Sequence, residues 1–309
     1  MTVVVLGAGR GIGHEIARQL VVDGREVRAG TRSGGVPEGA EDVRADLMDR
    51  ESAVKAARGA SVIHLAANVP YTSWVDMLPT MFDNAVAAAE SAGAKLVLAD
   101  NLYSYGRVPV PFDEKTPERP TGTKEKLRSA LGKRLLSASV PVVLARSSDY
   151  YGPGGFGSLP GELVLKPLAA GRQPFWFGPL DVPHTFAYLG DTARAQIVLG
   201  DDPQADGRVW HTPAAETLTV REFIALAGKV VGKTAKTGKT TKAFALPHAA
   251  VQVMALFDKR VRGMGELAHQ RTKPWVVDHS AYETTFGPLP VTPHEEAIAK
   301  TVEWYRGRD

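Results

Sequence analysis

TVVVLGAGRGIGHEIARQLVVDG (residues 2–24) reads as three pieces in succession. TVVVLGA is a run of β-branched and small apolar residues, the composition of a strand buried on both faces. GHEIARQLVVDG (13–24) is an amphipathic helix closed by a glycine. Between them stand Gly7, Gly9, Gly11 and Gly13. Glycines let the backbone turn sharply and come close to a pyrophosphate, whose charge then faces a helix N-terminus. A strand, a glycine loop and a helix in this order open a nucleotide-binding unit.

The alternation continues. REVRAGTRSG (25–34), SVIHLAAN (61–68), KLVLADN (95–101) and PVVLARSSDYYG (141–152) read as strands. ESAVKAARGA (51–60), MFDNAVAAAESAGA (81–94) and EKLRSALGKRLLSAS (125–139) read as helices. This rhythm predicts an α/β fold: a doubly wound, Rossmann-like parallel sheet with helices on both faces. It breaks at YYGPGGFGSLPG (150–161), which Gly/Pro-rich loops follow, and then a helix over 218–232 with Thr219 as its cap. The expected organisation is a dinucleotide-binding core over 1–152. A smaller C-terminal substrate lobe takes up most of 153–309, with some segments returning to the core. In such a fold the ligand lies at the carboxyl ends of the strands, where the lobe closes over it.

Composition narrows the field. The chain has 309 residues, 44% hydrophobic and 23% charged, with a net charge of +3 and no cysteine. Disulfides and thiolate metal sites are therefore excluded. No metal is expected. No apolar run approaches the roughly 20 residues of a membrane helix, and the N-terminus lacks the features of a secretory signal. The expectation is a soluble cytoplasmic protein. One stretch, GKVVGKTAKTGKTTK (228–242), holds five lysines and no acid. It has no aromatic residue for base stacking, so a solvated loop is expected rather than a nucleic-acid surface.

The cofactor's 2′ position is read at the end of the second strand. NAD sites place an acid there for the ribose. Here GTRSGG (30–35) offers Thr31, Arg32 and Ser33, and Arg10 sits in the glycine loop. A guanidinium binds phosphate through two parallel hydrogen bonds, so NADP(H) is the expected cofactor.

Taken together, these motifs resemble the short-chain dehydrogenase/reductases, in the extended or atypical branch that includes sugar epimerases and dehydratases. The glycine spacing is similar to TGxxxGxG with Leu6 in the threonine position, and implies cofactor contacts from Gly7, Gly9, Arg10, Gly11, Ile12 and Gly13. ADLMD (45–49) resembles the adenine-contacting pair, giving Asp46 and Leu47. IHLAAN (63–68) gives Ala66, Ala67 and Asn68, and VVLARSSDYYGPG (142–154) gives Ser148 near the nicotinamide. The stretches 84–106 and 184–195 resemble the active-site approach and the return to the lobe.

The family's catalytic set is where this chain departs. The resemblance implies a serine or threonine five residues before the glycine of a Tyr-Gly pair; that position holds Asn101. The catalytic tyrosine belongs in P-Y-x-x-S-K; here PTGTK (120–124) is one residue shorter, with Thr121 after the proline and then Lys124. None of the eight tyrosines has a lysine four residues on. Hydride transfer to a ketone leaves an alkoxide that needs a proton at once. Three sources are open. One is a nearby tyrosine: Tyr103, Tyr105 or Tyr150. Another is a network through Asn101. The third is an acid of the substrate itself, as inferred for the triad-less ketoreductases of aromatic polyketide antibiotic pathways, which the chain resembles. Trp74, Met77, Tyr103, Tyr150, Trp176 of PFWFGP (174–179) and His184 are the candidate pocket residues. Three functions remain open. They are an NADP(H)-dependent ketoreductase of an apolar or aromatic ketone, a nucleotide-sugar epimerase or dehydratase, and a non-enzymatic NADPH sensor or scaffold.

Overall fold

The computed structural model describes residues 2–234, 244–246 and 265–308. Most of the basic stretch, 235–242, lies outside the described residues. The sheet is built from β1 (Thr2–Leu6), β2 (Glu26–Thr31), β3 (Glu41–Arg44), β4 (Val62–Leu65), β5 (Lys95–Asn101) and β6 (Val142–Ser147). The strand Arg208–His211, from the far half of the chain, adds beside β6. All pairings within this seven-stranded sheet are parallel, in the order β3-β2-β1-β4-β5-β6 and then 208–211. The strand order reverses between β1 and β4, which opens a crevice at their carboxyl ends.

Both sheet faces are covered, and the period of two along β1 shows how. Val4 and Leu6 pack with residues of α2 (Arg50–Ala57), α3 (Trp74–Ala92) and α4 (Thr123–Leu136). Val3 and Val5 pack with Ile12, Ile16 and Leu20 of α1 (Gly11–Val22) and with the helix Leu189–Asp201. A third core, with Val164, Phe186, Phe223 and Ile298 among its residues, fills the lobe. Thr219 caps the helix Val220–Thr234 through a reciprocal box: Glu222 N–H donates to its hydroxyl at 3.2 Å, and Thr219 N–H donates to the Glu222 carboxylate at 2.7 Å.

Two elements differ from the sequence reading. α3 starts at Trp74, seven residues ahead of the expected start. Pro79 masks that first stretch because it removes a helical donor, while Trp74 is held by packing on Tyr71 and Arg128. β3 was not legible because Glu41, Asp42 and Arg44 give it the charged face of an edge strand. No helix among the described residues is long and apolar enough to cross a membrane.

His64 on β4 and His211 are buried, and burial lowers each to about 4. His211 is held between the Tyr105 hydroxyl and the Asp278 carbonyl, both at 2.8 Å. The unfolded chain takes up protons near pH 6.5, where the folded protein does not, so stability falls as pH drops from 6.5 towards 4. The slope reaches about 1.4 kcal/mol per pH unit for each histidine. Denaturant unfolding at pH 5 is expected to give a free energy roughly 2–4 kcal/mol below that at pH 7. Equal values at the two pH values would mean that these histidines are not held neutral.

Candidate active site

The glycine loop forms a tight cradle. Gly7 and Gly11 have φ of 95° and 63°, open to glycine but strained for other residues. A Cβ on Gly13 would lie 2.4 Å from the Gly7 carbonyl oxygen and 2.9 Å from Ala66 Cβ. One on Gly7 would lie 2.5 Å from Ala67 N, and one on Gly9 would lie 2.8 Å from the Gly34 carbonyl oxygen. α1 is therefore drawn against the ends of β1 and β4. Its N-terminus has no side-chain cap and no acid in its first turn, so its free N–H groups suit a pyrophosphate. The residues present fit a dinucleotide.

At the other end of the cradle, Arg10, Arg32 and Ser33 are exposed. The Thr31 hydroxyl is engaged within its own turn, where it accepts from Gly34 N at 2.8 Å. It also donates to Asp42 at 3.4 Å. This carboxylate was missed in the sequence because it arrives from β3, across the strand pairing. Asp46 accepts from Met48 N at 3.0 Å, and Leu47 is buried.

A cavity of about 700 Å³ opens at the carboxyl ends of the strands. Ile12, Ala66, Ala67, Asn68, Ser147, Ser148 and Gln196 line its core side, and both ends of the buried Gln196 amide lack a hydrogen-bond partner among the described residues. Aromatic rings share the lining: Tyr71, Trp74, Tyr103, Tyr150, Phe177 and Trp275. Tyr71 stacks on Trp74 with ring centroids 4.6 Å apart, and Tyr103 lies 5.9 Å from Trp74.

The sequence-derived candidates divide between the cavity and its surroundings. Asn101, Tyr103, Lys124, Trp74, Tyr150 and Ser148 line it. The Asn101 side-chain oxygen accepts from Tyr103 N at 3.0 Å, which leaves the amide nitrogen as the end available to a ligand. Lys124 Nζ is 3.4 Å from Glu266 and 5.7 Å from the centre of the Tyr71 ring. Thr121 is exposed and outside the cavity lining, its hydroxyl donating to Glu125 at 3.2 Å. Met77, Trp176 and His184 are also outside the lining. Trp176 is core of the lobe, and the His184 ring lies 3.1 Å from Asp149. The Tyr105 hydroxyl is taken by His211.

Reading the chain by pattern missed Tyr71, Asp149, Gln270 and Arg271, all in the lining. Arg271 is buried, and this lowers its pKa, although Asp149, Tyr103 and Tyr71 pull the other way. In the same lining, Asp100 is paired with Arg128 of α4 and lies 3.0 Å from Arg146 of β6. Burial alone would raise the Asp100 carboxyl; Arg128 and Arg146 outweigh it and hold it below its usual range.

A parallel sheet with a glycine-loop helix at its switch point and a lobe-covered cavity defines the Rossmann-like class of dehydrogenase and epimerase folds. The chain belongs to the NAD dependent epimerase/dehydratase family, which it matches over residues 3–211. It is 27% identical over 218 residues to the isoflavone reductase homolog IRL of Zea mays; the match takes in 68% of this chain and 61% of that relative. Thus the chain spans about three fifths of the length of the curated relative it matches. Among solved structures it is similar to the UDP-glucose 4-epimerase of Thermus thermophilus in complex with NAD, with TM-score 0.76, 20% identity and all of both chains covered. It is also similar to MoeE5 in complex with UDP-glucose and NAD, with TM-score 0.78, 20% identity, and 100% and 99% of the two chains covered. At these identities the structures share the fold.

Two outcomes follow. Gly13→Val places a branched side chain on the Gly7 carbonyl and is expected to abolish dinucleotide binding, while Gly232→Ala, with open space around it, leaves binding unchanged. Fluorescence titration reads both, and normal binding by Gly13→Val would remove this loop from the site. Asp100→Ala leaves Arg128 buried without its carboxylate and Arg146 with Glu118 alone, and is expected to lower unfolding free energy by about 3–5 kcal/mol in a denaturant titration.

Proposed function

We propose that the protein is an NADP(H)-dependent reductase of an apolar, aromatic, polyketide-like ketone, working without the family's Tyr–Lys pair. The carrying observation is the cavity itself. Its lining combines residues expected at the nicotinamide end of the cradle with aromatic rings, and it includes Asn101, at the position the resemblance gives to a serine or threonine. The isoflavone reductase homolog among its relatives supports a reductase reading as well. An epimerase would need a base to withdraw a sugar hydroxyl proton and return it. None of this chain's eight tyrosines has a lysine four residues on, the spacing the resemblance implies for that task.

The chain's own residues divide the work. The uncapped start of α1 holds the pyrophosphate, and Arg10 and Arg32 take the 2′-phosphate. A bound reduced nicotinamide supplies hydride. The Asn101 amide nitrogen donates to the ketone oxygen and stabilises charge that develops there. Tyr71, Trp74 and Tyr103 give a flat ring its stacking surface and keep water from the carbonyl.

NADPH is expected to bind more tightly than NADH, because one arginine–phosphate pair contributes on the order of 1.5–3 kcal/mol. Arg32→Ala should weaken NADPH selectively, and Asp42→Asn should strengthen it by removing a negative charge from the same corner. Titration of nicotinamide fluorescence compares the two cofactors, and equal affinities would overturn the cofactor assignment. NADPH consumption with a panel of bicyclic aromatic ketones tests the reaction; binding without turnover on any of them would leave a sensor or scaffold.

A further inference from the structure

Two tyrosines meet in the cavity from separate elements. Tyr71 belongs to the turn Tyr71–Ser73 ahead of α3, and Tyr103 to the turn Tyr103–Tyr105 after β5. Their hydroxyls hydrogen-bond to each other, and neither hydroxyl has another hydrogen-bond partner among the described residues. Two phenols carry two protons, and the shared bond uses one of them. The other O–H is left for a ligand. Both residues share the cavity lining with Asn101, whose side-chain oxygen accepts from the backbone N–H of Tyr103 at 3.0 Å. Burial raises Tyr103 well above the ordinary phenol value, and Tyr71, part-exposed at the cavity mouth, is raised as well, so both stay protonated at neutral pH. Asp149 pushes both further up, while Arg271 pulls Tyr103 down and Arg128 pulls Tyr71 down.

We propose that Tyr71 and Tyr103 act as a phenol dyad that donates the proton to the ketone oxygen, in place of the tyrosine the family carries on its α4 helix. The proposal rests on the ketoreductase reading. As hydride from a dihydronicotinamide forms the new C–H bond at the carbonyl carbon, the C=O π pair moves to oxygen. The outward O–H passes its proton to that oxygen and leaves a phenolate. An alkoxide is a stronger base than a phenolate, so the transfer runs downhill even from a buried phenol. The second hydroxyl donates into the phenolate through the bond already present, and the Arg271 cation offsets the charge. Solvent water then returns a proton through the cavity mouth, where Tyr71 keeps 39% of its surface accessible.

The test uses α-tetralone, which has no acidic group, and its peri-hydroxy derivative, which carries a phenol beside the ketone. The native protein should reduce both at comparable rates. The double variant Tyr71→Phe/Tyr103→Phe should lose about 10²–10⁴ in kcat on both, with NADPH affinity and thermal unfolding midpoint kept. A second readout needs no turnover: the infrared carbonyl band of bound α-tetralone, recorded with NADP⁺, should be lowered by the donated hydrogen bond and return towards its apolar-solvent position in the double variant. The proposal falls if the double variant keeps the native rate, or if that band is the same in both proteins. It also falls if only the peri-hydroxy ketone is reduced, since the substrate then supplies the proton. Absence of NADPH binding or of any turnover defeats the ketoreductase reading instead, and the infrared band still decides whether the pair donates to a bound ketone.

Discussion

The buried carboxylate of Asp100 holds the cavity side of the molecule together. It lies one residue before Asn101 near the end of β5, opposite Arg146 in the strand register, and takes a second guanidinium from Arg128 of α4. A lone carboxylate at that depth would be strongly disfavoured, and so would either arginine. The three charges are therefore obliged to stay together. That obligation clamps α4 against the sheet at the level of the cavity. Arg128 also lies over the ring of Trp74, at 5.3 Å, so the clamp extends to the first residue of α3 and the aromatic wall. Glu118 continues the network at 2.7 Å from Arg146.

On this rigid base the cavity combines two demands. Stacking needs apolar rings, whereas carbonyl chemistry needs a few donors in a dry place. The chain meets both with aromatic residues that carry a polar handle. Tyr71 and Tyr103 bring both aromatic rings and hydroxyls to the lining. The charged groups Asp149 and Arg271 belong to the same lining, Asp149 acting electrostatically on both phenols and Arg271 on Tyr103.

Much of this was legible from local pattern. The glycine loop, the period of two in β1 and the helix-strand rhythm each depend on residues a few positions apart, and all reappear in the sheet and its covering helices. Asn101, Tyr103 and Lys124 were found in the cavity lining because they follow a strand or start a helix whose place is set by that rhythm. Arg271 and Gln270 were not, since they lie on a five-residue helix far along the chain with no periodic signature. Tyr71 sits on a single turn. Asp42 became visible only through the pairing of β2 with β3. Trp176 and His184 were read as pocket residues from their type alone; an aromatic ring serves a core as well as a cavity, and the lobe needed a core.

Thr121 belongs to the fastening of α4. The position is exposed, and both its backbone N–H and its hydroxyl are bound to the fully buried Glu125, which caps the start of α4. The start of α4, the helix that carries Arg128 to Asp100, is thus fastened by a carboxylate removed from water, so that a change at position 121 is felt first as a loosened helix start.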